Sequence, residues 1–191
     1  ESKYIYLKQG LEYWISNNPN KVCRILELGY GTGLMSYLTL QYSENKQKEL
    51  EFTSLEAYPL TSVELETLNY GSYCKNSPIV SFKKFSNLPW EKTQEVSQNF
   101  KLLKKAIKFE DFLIDEVYDV IFYDAFGFHA QPELWSYNCM KKCNDLMAPS
   151  GVWVSYCAKG GVRRDLETIG FEVSRLPGPP GKREMLRAIK V

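Results

Sequence analysis

Apolar positions along the chain follow two alternating rhythms. Tyr4, Leu7, Leu11, Trp14 and Ile15 recur at helical spacing, and residues 22–28 then form a short apolar run that predicts a buried strand. Leu34, Leu38 and Tyr42 resume the helical spacing. Residues 51–56 predict a second strand, and Pro59 is placed to open the helix that follows, where a missing N–H costs nothing. Residues 117–124 predict a third strand, residues 132–146 a helix, Pro149-Ser150-Gly151 a turn, and residues 152–156 a strand rich in β-branched and aromatic side chains. A short helix over 162–169, closed by Gly170, leads into an antiparallel pair, 171–176 and 185–190, joined by the irregular PGPPGKRE loop. Between residues 70 and 116 the pattern is weaker: NYGSYCKNS is turn-like, and FKLLKKAIKF fits a strand or a basic helix, with strand preferred. Strands alternating with helices predict an α/β fold whose sheet is mostly parallel, ending in an antiparallel strand pair.

Composition adjusts this picture modestly. With 191 residues, 44% of them hydrophobic, the chain suits a single domain over 1–191. No run approaches the ~18 apolar residues of a membrane span and no leader pattern opens the chain, so the expected setting is the cytosol, without membrane association. The five cysteines (Cys23, Cys74, Cys139, Cys143, Cys157) are odd in number and contain no CxxC pair, which argues against a disulfide framework and a zinc site. Cys139 and Cys143 share a helix face, but beside one histidine they read as core rather than metal ligands. From Lys159 onward eight Lys or Arg face four Asp or Glu, a local +4; with a total of +1, the first 158 residues carry −3. A basic C-terminal end suits an acidic partner such as RNA, and equally a solvated face.

The candidate chemistry lies in ELGYGTGL, residues 27–34, which sets an acid before glycines at 29, 31 and 33. A dinucleotide fingerprint needs GxGxxG, and position 34 is leucine; a phosphate loop needs Gly-Lys-Ser/Thr, and Leu34 and Met35 follow Gly33. In an open parallel sheet the ligand sits beyond the carboxyl ends of the strands, so Glu27, Glu56 and Asp124 converge on one rim. Carboxylates around a glycine turn reward a ligand with an amine and ribose hydroxyls rather than a pyrophosphate. S-adenosylmethionine has that chemistry. Glu27 would face its ammonium end through the turn formed by Gly29, Tyr30, Gly31, Thr32 and Gly33, and Glu56, followed by Ala57 and Tyr58, would hold the ribose diol.

With these residues in view the chain resembles a known family. ELGYGTGL, SLEAYPL, YDVIFYDAFGFHAQPELW, VSYCAKGGVRRDLETIGFEV and GPPGKREMLRA are similar, in this order, to the methyltransferase domain of the tRNA 5-methylaminomethyl-2-thiouridine biosynthesis protein (MnmC-like). DAF followed by PELW, and the terminal GKREM, carry the resemblance beyond methyltransferases in general. It implies a Rossmann-like methyltransferase fold that uses S-adenosylmethionine to methylate the aminomethyl group of a modified wobble uridine in tRNA. Bifunctional members add a flavin-dependent oxidase domain, for which 191 residues leave no room, so a separate enzyme would supply the aminomethyl uridine. Members of this kind also begin with an upstream segment, and part of the substrate surface would lie there.

Methyl transfer needs a neutral amine. For an amine with a pKa near ~10.4, neutrality at pH 7 costs up to about 4.6 kcal/mol, so a carboxylate that accepts its proton would help. Asp124 is the candidate for that role, with cofactor anchoring as the alternative. Phe126 and Phe128 are candidates to stack on the base, and Glu110 and Asp111 to meet the adenine amino group. Lys159, Arg163, Arg164, Lys182 and Arg183 are candidates to contact phosphate, with pairing to nearby acids as the alternative. His129 reads as a surface-loop residue. Two rival functions remain open at this stage: an aminopropyltransferase acting on a polyamine, which the basic end disfavours, and a module that binds cofactor and RNA without turnover.

Overall fold

The apolar run before the glycines is a strand in which only Arg24 is exposed, because it lies at the centre of a sheet covered on both faces. The computed structural model describes residues 1–68, 70 and 80–191. A π-helical segment, Lys3–Glu12, runs into α1 (Tyr13–Asn17), followed by β1 (Cys23–Leu28), α2 (Leu34–Lys46), β2 (Leu50–Leu55), α3 (Ser62–Glu66) and α4 (Phe82–Ser86). Next come β3 (Gln94–Ser97), β4 (Phe100–Lys105), a 3-10 turn at Phe109–Asp111, β5 (Tyr118–Tyr123) and a 3-10 turn at Pro132–Trp135. The chain ends with α5 (Tyr137–Asp145), β6 (Met147–Ser155), α6 (Gly160–Ile169), β7 (Phe171–Pro177) and β8 (Glu184–Lys190).

The described strands form one sheet in the order β3-β4-β2-β1-β5-β6-β8-β7. β4, β2, β1, β5 and β6 are parallel; β3, β8 and β7 join antiparallel. This is the Rossmann-like architecture, with the antiparallel pair at the C-terminus. Alternate residues divide between two cores. Ile25, Phe52, Phe122 and Val154 face the N-terminal helical segment and α2, while Leu26, Ile121, Tyr123 and Trp153 face α5 and α6. Successive strands leave β1 toward β2 on one side and β5 on the other, which opens a crevice at their carboxyl ends.

Several local expectations give way to tertiary contacts. Pro59 precedes the helix rather than opening it: α3 starts at Ser62, where Thr61 and Glu64 form a reciprocal capping box. The helix expected over 132–146 is two pieces, because Ser136 is extended and its hydroxyl caps α5 through the Cys139 amide. Pro149-Ser150-Gly151 is no turn before a strand but a bulge inside β6; pairing jumps from Tyr118–Met147 to Val120–Val152, and Ser150 takes φ +62°. The hairpin strand β3 carried no clear periodic signal, whereas FKLLKKAIKF contains β4 as expected. The turn-like NYGSYCKNS lies almost wholly outside the described residues, as does Cys74. The other four cysteines are buried free thiols, with Cys139 and Cys143 packed in the core between α5 and the sheet.

At the start of the chain the π-helical winding buries Ile5, Tyr6, Leu7, Gly10 and Leu11. The stripe expected at ordinary helical spacing included Leu7 and Leu11 but not Ile5 or Tyr6. Gly10 allows the segment to approach the sheet: a Cβ there would lie 2.8 Å from Val154 Cγ2 and 3.4 Å from Phe122. Overpacking costs about 1–3 kcal/mol, against up to ~1 kcal/mol gained from better helix propensity. Gly10→Ala is therefore expected to destabilise the fold by about 1–2 kcal/mol in urea denaturation; a neutral or stabilising result would show that the contact relaxes freely.

Candidate active site

Gly29 makes the crevice possible. It adopts φ +92°, and a Cβ there would lie 2.9 Å from the Asp124 carbonyl oxygen, so another residue would push the ends of β1 and β5 apart. The Gly29 and Tyr30 amides both donate to the Leu55 carbonyl at 3.0 Å, tying the turn to β2. Gly33, φ +77°, caps α2 and lies under the Tyr30 ring, whose hydroxyl would be 2.5 Å from an added Cβ. Gly31 differs: at φ +51° its missing side chain would project into open space.

Beyond the turn lies a cavity of about 430 Å³. Of the residues expected to hold a cofactor, Glu27, Gly29, Tyr30, Gly31, Thr32, Glu56, Ala57, Tyr58, Glu110 and Asp124 line it. Gly33 and Asp111 do not. Gly33 is covered by Tyr30, and Asp111 ends its 3-10 turn facing a separate groove with Asn138 and Lys141. Phe126 lines the cavity and is 67% exposed; Phe128 and His129 are outside it on the exposed loop.

The three acids meet here in different states. Glu27 is fully buried and accepts a hydrogen bond from the Ser54 hydroxyl at 2.5 Å, while its Oε1 has no partner among the described residues. Burial raises its pKa well above the usual carboxylate range; the Ser54 bond opposes the shift, and the charges of Asp124 and Glu56 add to it. Glu56 accepts from the Gly31 amide at 2.9 Å and the Tyr58 amide at 3.0 Å, which orients its carboxylate toward the cavity while leaving lone pairs for hydroxyl donors. Asp124 is pushed up to about 6, chiefly by burial and further by the charge of Glu1; a bond from Tyr6 and the charge of Lys182 oppose the shift.

The orphaned Glu27 oxygen, the cradle at Gly31 and the oriented Glu56 fit S-adenosylmethionine. Glu27 would take the ammonium group and Glu56 the ribose hydroxyls, with Ile107, Phe109 and Leu134 as apolar walls for a purine. Ser54, Ile107, Phe109 and Leu134 escaped the sequence reading because they carry no glycine or acid signal. The only local cue was that IKF directly follows a strand end.

Side chains from distant elements hold the Asp124-Ala125-Phe126 loop. Tyr156 donates to the Ala125 carbonyl at 2.7 Å, and the Trp135 indole donates to the Phe126 carbonyl at 2.9 Å. The latter bond explains physically why PELW follows DAF. The expected phosphate-binding cations are only partly free. Lys159 lies 3.5 Å over the Phe128 ring, and Lys182 lies 4.1 Å over Tyr156 and pairs with Glu1 at 2.5 Å. Arg163 pairs with Glu167 at 2.6 Å within α6, whereas Arg164 and Arg183 are exposed.

Comparison with known proteins is decisive for the family. Residues 82–191 match a family described as S-adenosyl-L-methionine-dependent methyltransferase. The chain belongs to this family. Its cofactor is S-adenosylmethionine. Over 97% of its length this methyltransferase is 28% identical to the tRNA 5-methylaminomethyl-2-thiouridine biosynthesis bifunctional protein MnmC of Actinobacillus pleuropneumoniae, and 29% identical to the protein of the same name from Leptospira interrogans. It spans 30% of the length of each. Among solved structures, MNMC2 from Aquifex aeolicus superposes with a TM-score of 0.73 at 23% identity, covering 98% of this chain and 59% of that one. The N-methyltransferase NodS from Bradyrhizobium japonicum gives 0.55 at 15% identity, covering 95% and 91%. Both likenesses are of fold.

Two outcomes follow for the site. Glu56→Ala should weaken S-adenosylmethionine binding by about 1.5–3 kcal/mol, as for charge-assisted bonds, and Gly31→Val should abolish it by filling the cradle at a strained φ; calorimetry checks both. The second concerns stability. Asp124 keeps its proton to about pH 6 when folded, against ~3.9 unfolded, so its contribution is full below pH ~4 and declines as pH rises through 6. Asp124→Asn should therefore gain thermal stability over wild type at pH 7, a gain that vanishes near pH 4.

Proposed function

We propose that this methyltransferase acts in the cytosol on tRNA, transferring a methyl group from S-adenosylmethionine to the aminomethyl nitrogen of a modified wobble uridine. An earlier reaction on the tRNA supplies that amine. The observation that carries the reading is Asp124: a carboxyl on the cavity wall, pushed up to about 6 by burial, next to the exposed ring of Phe126. The names of the 28–29% identical relatives support the choice of acceptor, and no helix among the described residues is long and apolar enough to cross a membrane.

S-adenosylmethionine supplies the electrophilic methyl group, and the chain's own residues do the rest. With that group bound, methylation would be a direct displacement in which the amine nitrogen takes the methyl, sulfur keeps the electrons of the bond it loses, and the nitrogen gives up a proton. Asp124 in its ionised form accepts that proton and orients the lone pair. Phe126 offers a π-face to the base, with Phe128 and Lys159 at the outer edge. Among the described residues Arg164 and Arg183 are exposed and make no ion pair, which leaves them to meet phosphate, and Lys182 can exchange Glu1 for phosphate.

The test incubates the protein with labelled cofactor and tRNA from a strain that accumulates the free amine, followed by digestion to nucleosides. Label is expected in methylaminomethyl uridine. Turnover should rise with pH through about 6, as the carboxyl ionises, and Asp124→Asn should lower it by about 10²-fold or more and flatten that limb. Lys182→Ala with Arg183→Ala should chiefly weaken tRNA affinity and its salt dependence. Label on a polyamine, or bound cofactor without any transfer, would overturn the assignment.

A further inference from the structure

We propose that Tyr6 is a positioning residue for methyl transfer: its hydroxyl donates to Asp124 Oδ1 at 2.7 Å, fixing the carboxylate plane and leaving Oδ2 to face the acceptor amine. This rests on Asp124 acting at the reactive centre. No sequence signal announced it, since Tyr6 lies 118 residues from Asp124 in a helical segment far from the glycine turn.

Four observations carry the inference. Tyr6 is only 2% exposed, and its ring packs against Phe122 with centroids 5.4 Å apart, so the phenol has little freedom to leave Asp124. The same hydroxyl lies 3.5 Å from the Tyr123 carbonyl, at the strand end that carries Asp124. The π-helical winding between Lys3 and Glu12, seated against β5 and β6 through Gly10, brings the ring to the sheet. Burial, reinforced by the charge of Asp124, raises the Tyr6 pKa well above 10, so the phenol stays a donor throughout the working range of pH.

The other charged or titratable groups facing Asp124 act differently. Glu1 from the chain start repels its negative charge, Lys182 from the β7–β8 loop attracts it, Glu27 from β1 has its own pKa raised by the Asp124 charge, and Tyr156, after β6, spends its hydroxyl on the Ala125 carbonyl. Tyr6 alone of these makes a direct hydrogen bond to the carboxylate. That bond favours the ionised, proton-accepting form and opposes the burial that disfavours it. Tyr6 thus works through Asp124 without touching the substrate.

The experiment compares wild type with Tyr6→Phe, which keeps the ring against Phe122 and removes only the donor. Carboxyl NMR of protein labelled at aspartate Cγ, with Asp124→Asn for assignment, reads the Asp124 titration directly, without tRNA. In Tyr6→Phe the midpoint should move to higher pH and turnover near pH 6.5 should fall about 10-fold, with cofactor Kd changed less than 2-fold. Replacing Tyr6 with 3,5-difluorotyrosine, a stronger donor of nearly the same shape, should move the midpoint the other way. An unchanged titration in both forms, or loss of cofactor affinity in parallel with turnover, would overturn the proposal and leave Tyr6 as packing. A shifted titration in a protein that methylates no tRNA would instead overturn the substrate assignment while upholding the Tyr6–Asp124 link.

Discussion

Everything at the functional end of the molecule depends on how closely β1 and β5 approach at their carboxyl ends. Gly29 permits that approach, and the backbone then locks it: the Asp124 amide donates to the Leu28 carbonyl at 3.2 Å, while the Gly29 and Tyr30 amides share the Leu55 carbonyl. Three strand ends are thereby joined at one turn. A Cβ at Gly29 would break that junction before it touched any ligand. The glycines of the turn thus divide their work: Gly29 closes the strands, Gly33 yields to Tyr30, and Gly31 leaves the backbone open toward the cavity.

The junction also gathers like charges, which a folded protein tolerates only with compensation. Burial raises the Glu27 pKa well above the usual carboxylate range while the Ser54 hydroxyl partly offsets that shift, Glu56 accepts from two backbone amides, and Asp124 ionises only near pH 6. A cationic cofactor bound here would add to the opposing charge of Lys182 and would favour the ionised forms of its neighbours. Under the proposed function, some stability given up at the site would be exchanged for affinity and a usable proton acceptor.

The loop after Asp124 is flanked by exposed aromatic surface yet held by buried and half-buried donors. Tyr6, Trp135 and Tyr156 reach it from three separate elements and fix the carboxylate and two successive carbonyls. These bonds hold the cavity wall, while the rings of Phe126 and Phe128 stay exposed. Lys159 and Lys182, each lying over an aromatic ring, edge that opening with positive charge.

The sequence by itself determined the alternating architecture, the antiparallel end, the glycine turn and the three acids, because each depends on local periodicity, on backbone freedom at a glycine, or on position at a strand end. Local signals failed where a neighbour in space decided the outcome: Thr61 and Glu64 moved a helix start away from Pro59, and the pairing of β5 with β6 absorbed Pro149-Ser150-Gly151 as a bulge. Asp111 was indistinguishable from Glu110 until the 3-10 turn brought Glu110 to the cavity wall and left Asp111 only on the neighbouring groove, which both residues line. Ser54 beneath Glu27, Tyr6 beside Asp124 and Tyr156 behind Ala125 are ordinary residues in ordinary elements. Only the tertiary structure gave them roles, since a hydrogen bond between residues 27 to 118 positions apart leaves no trace in the periodicity of either segment.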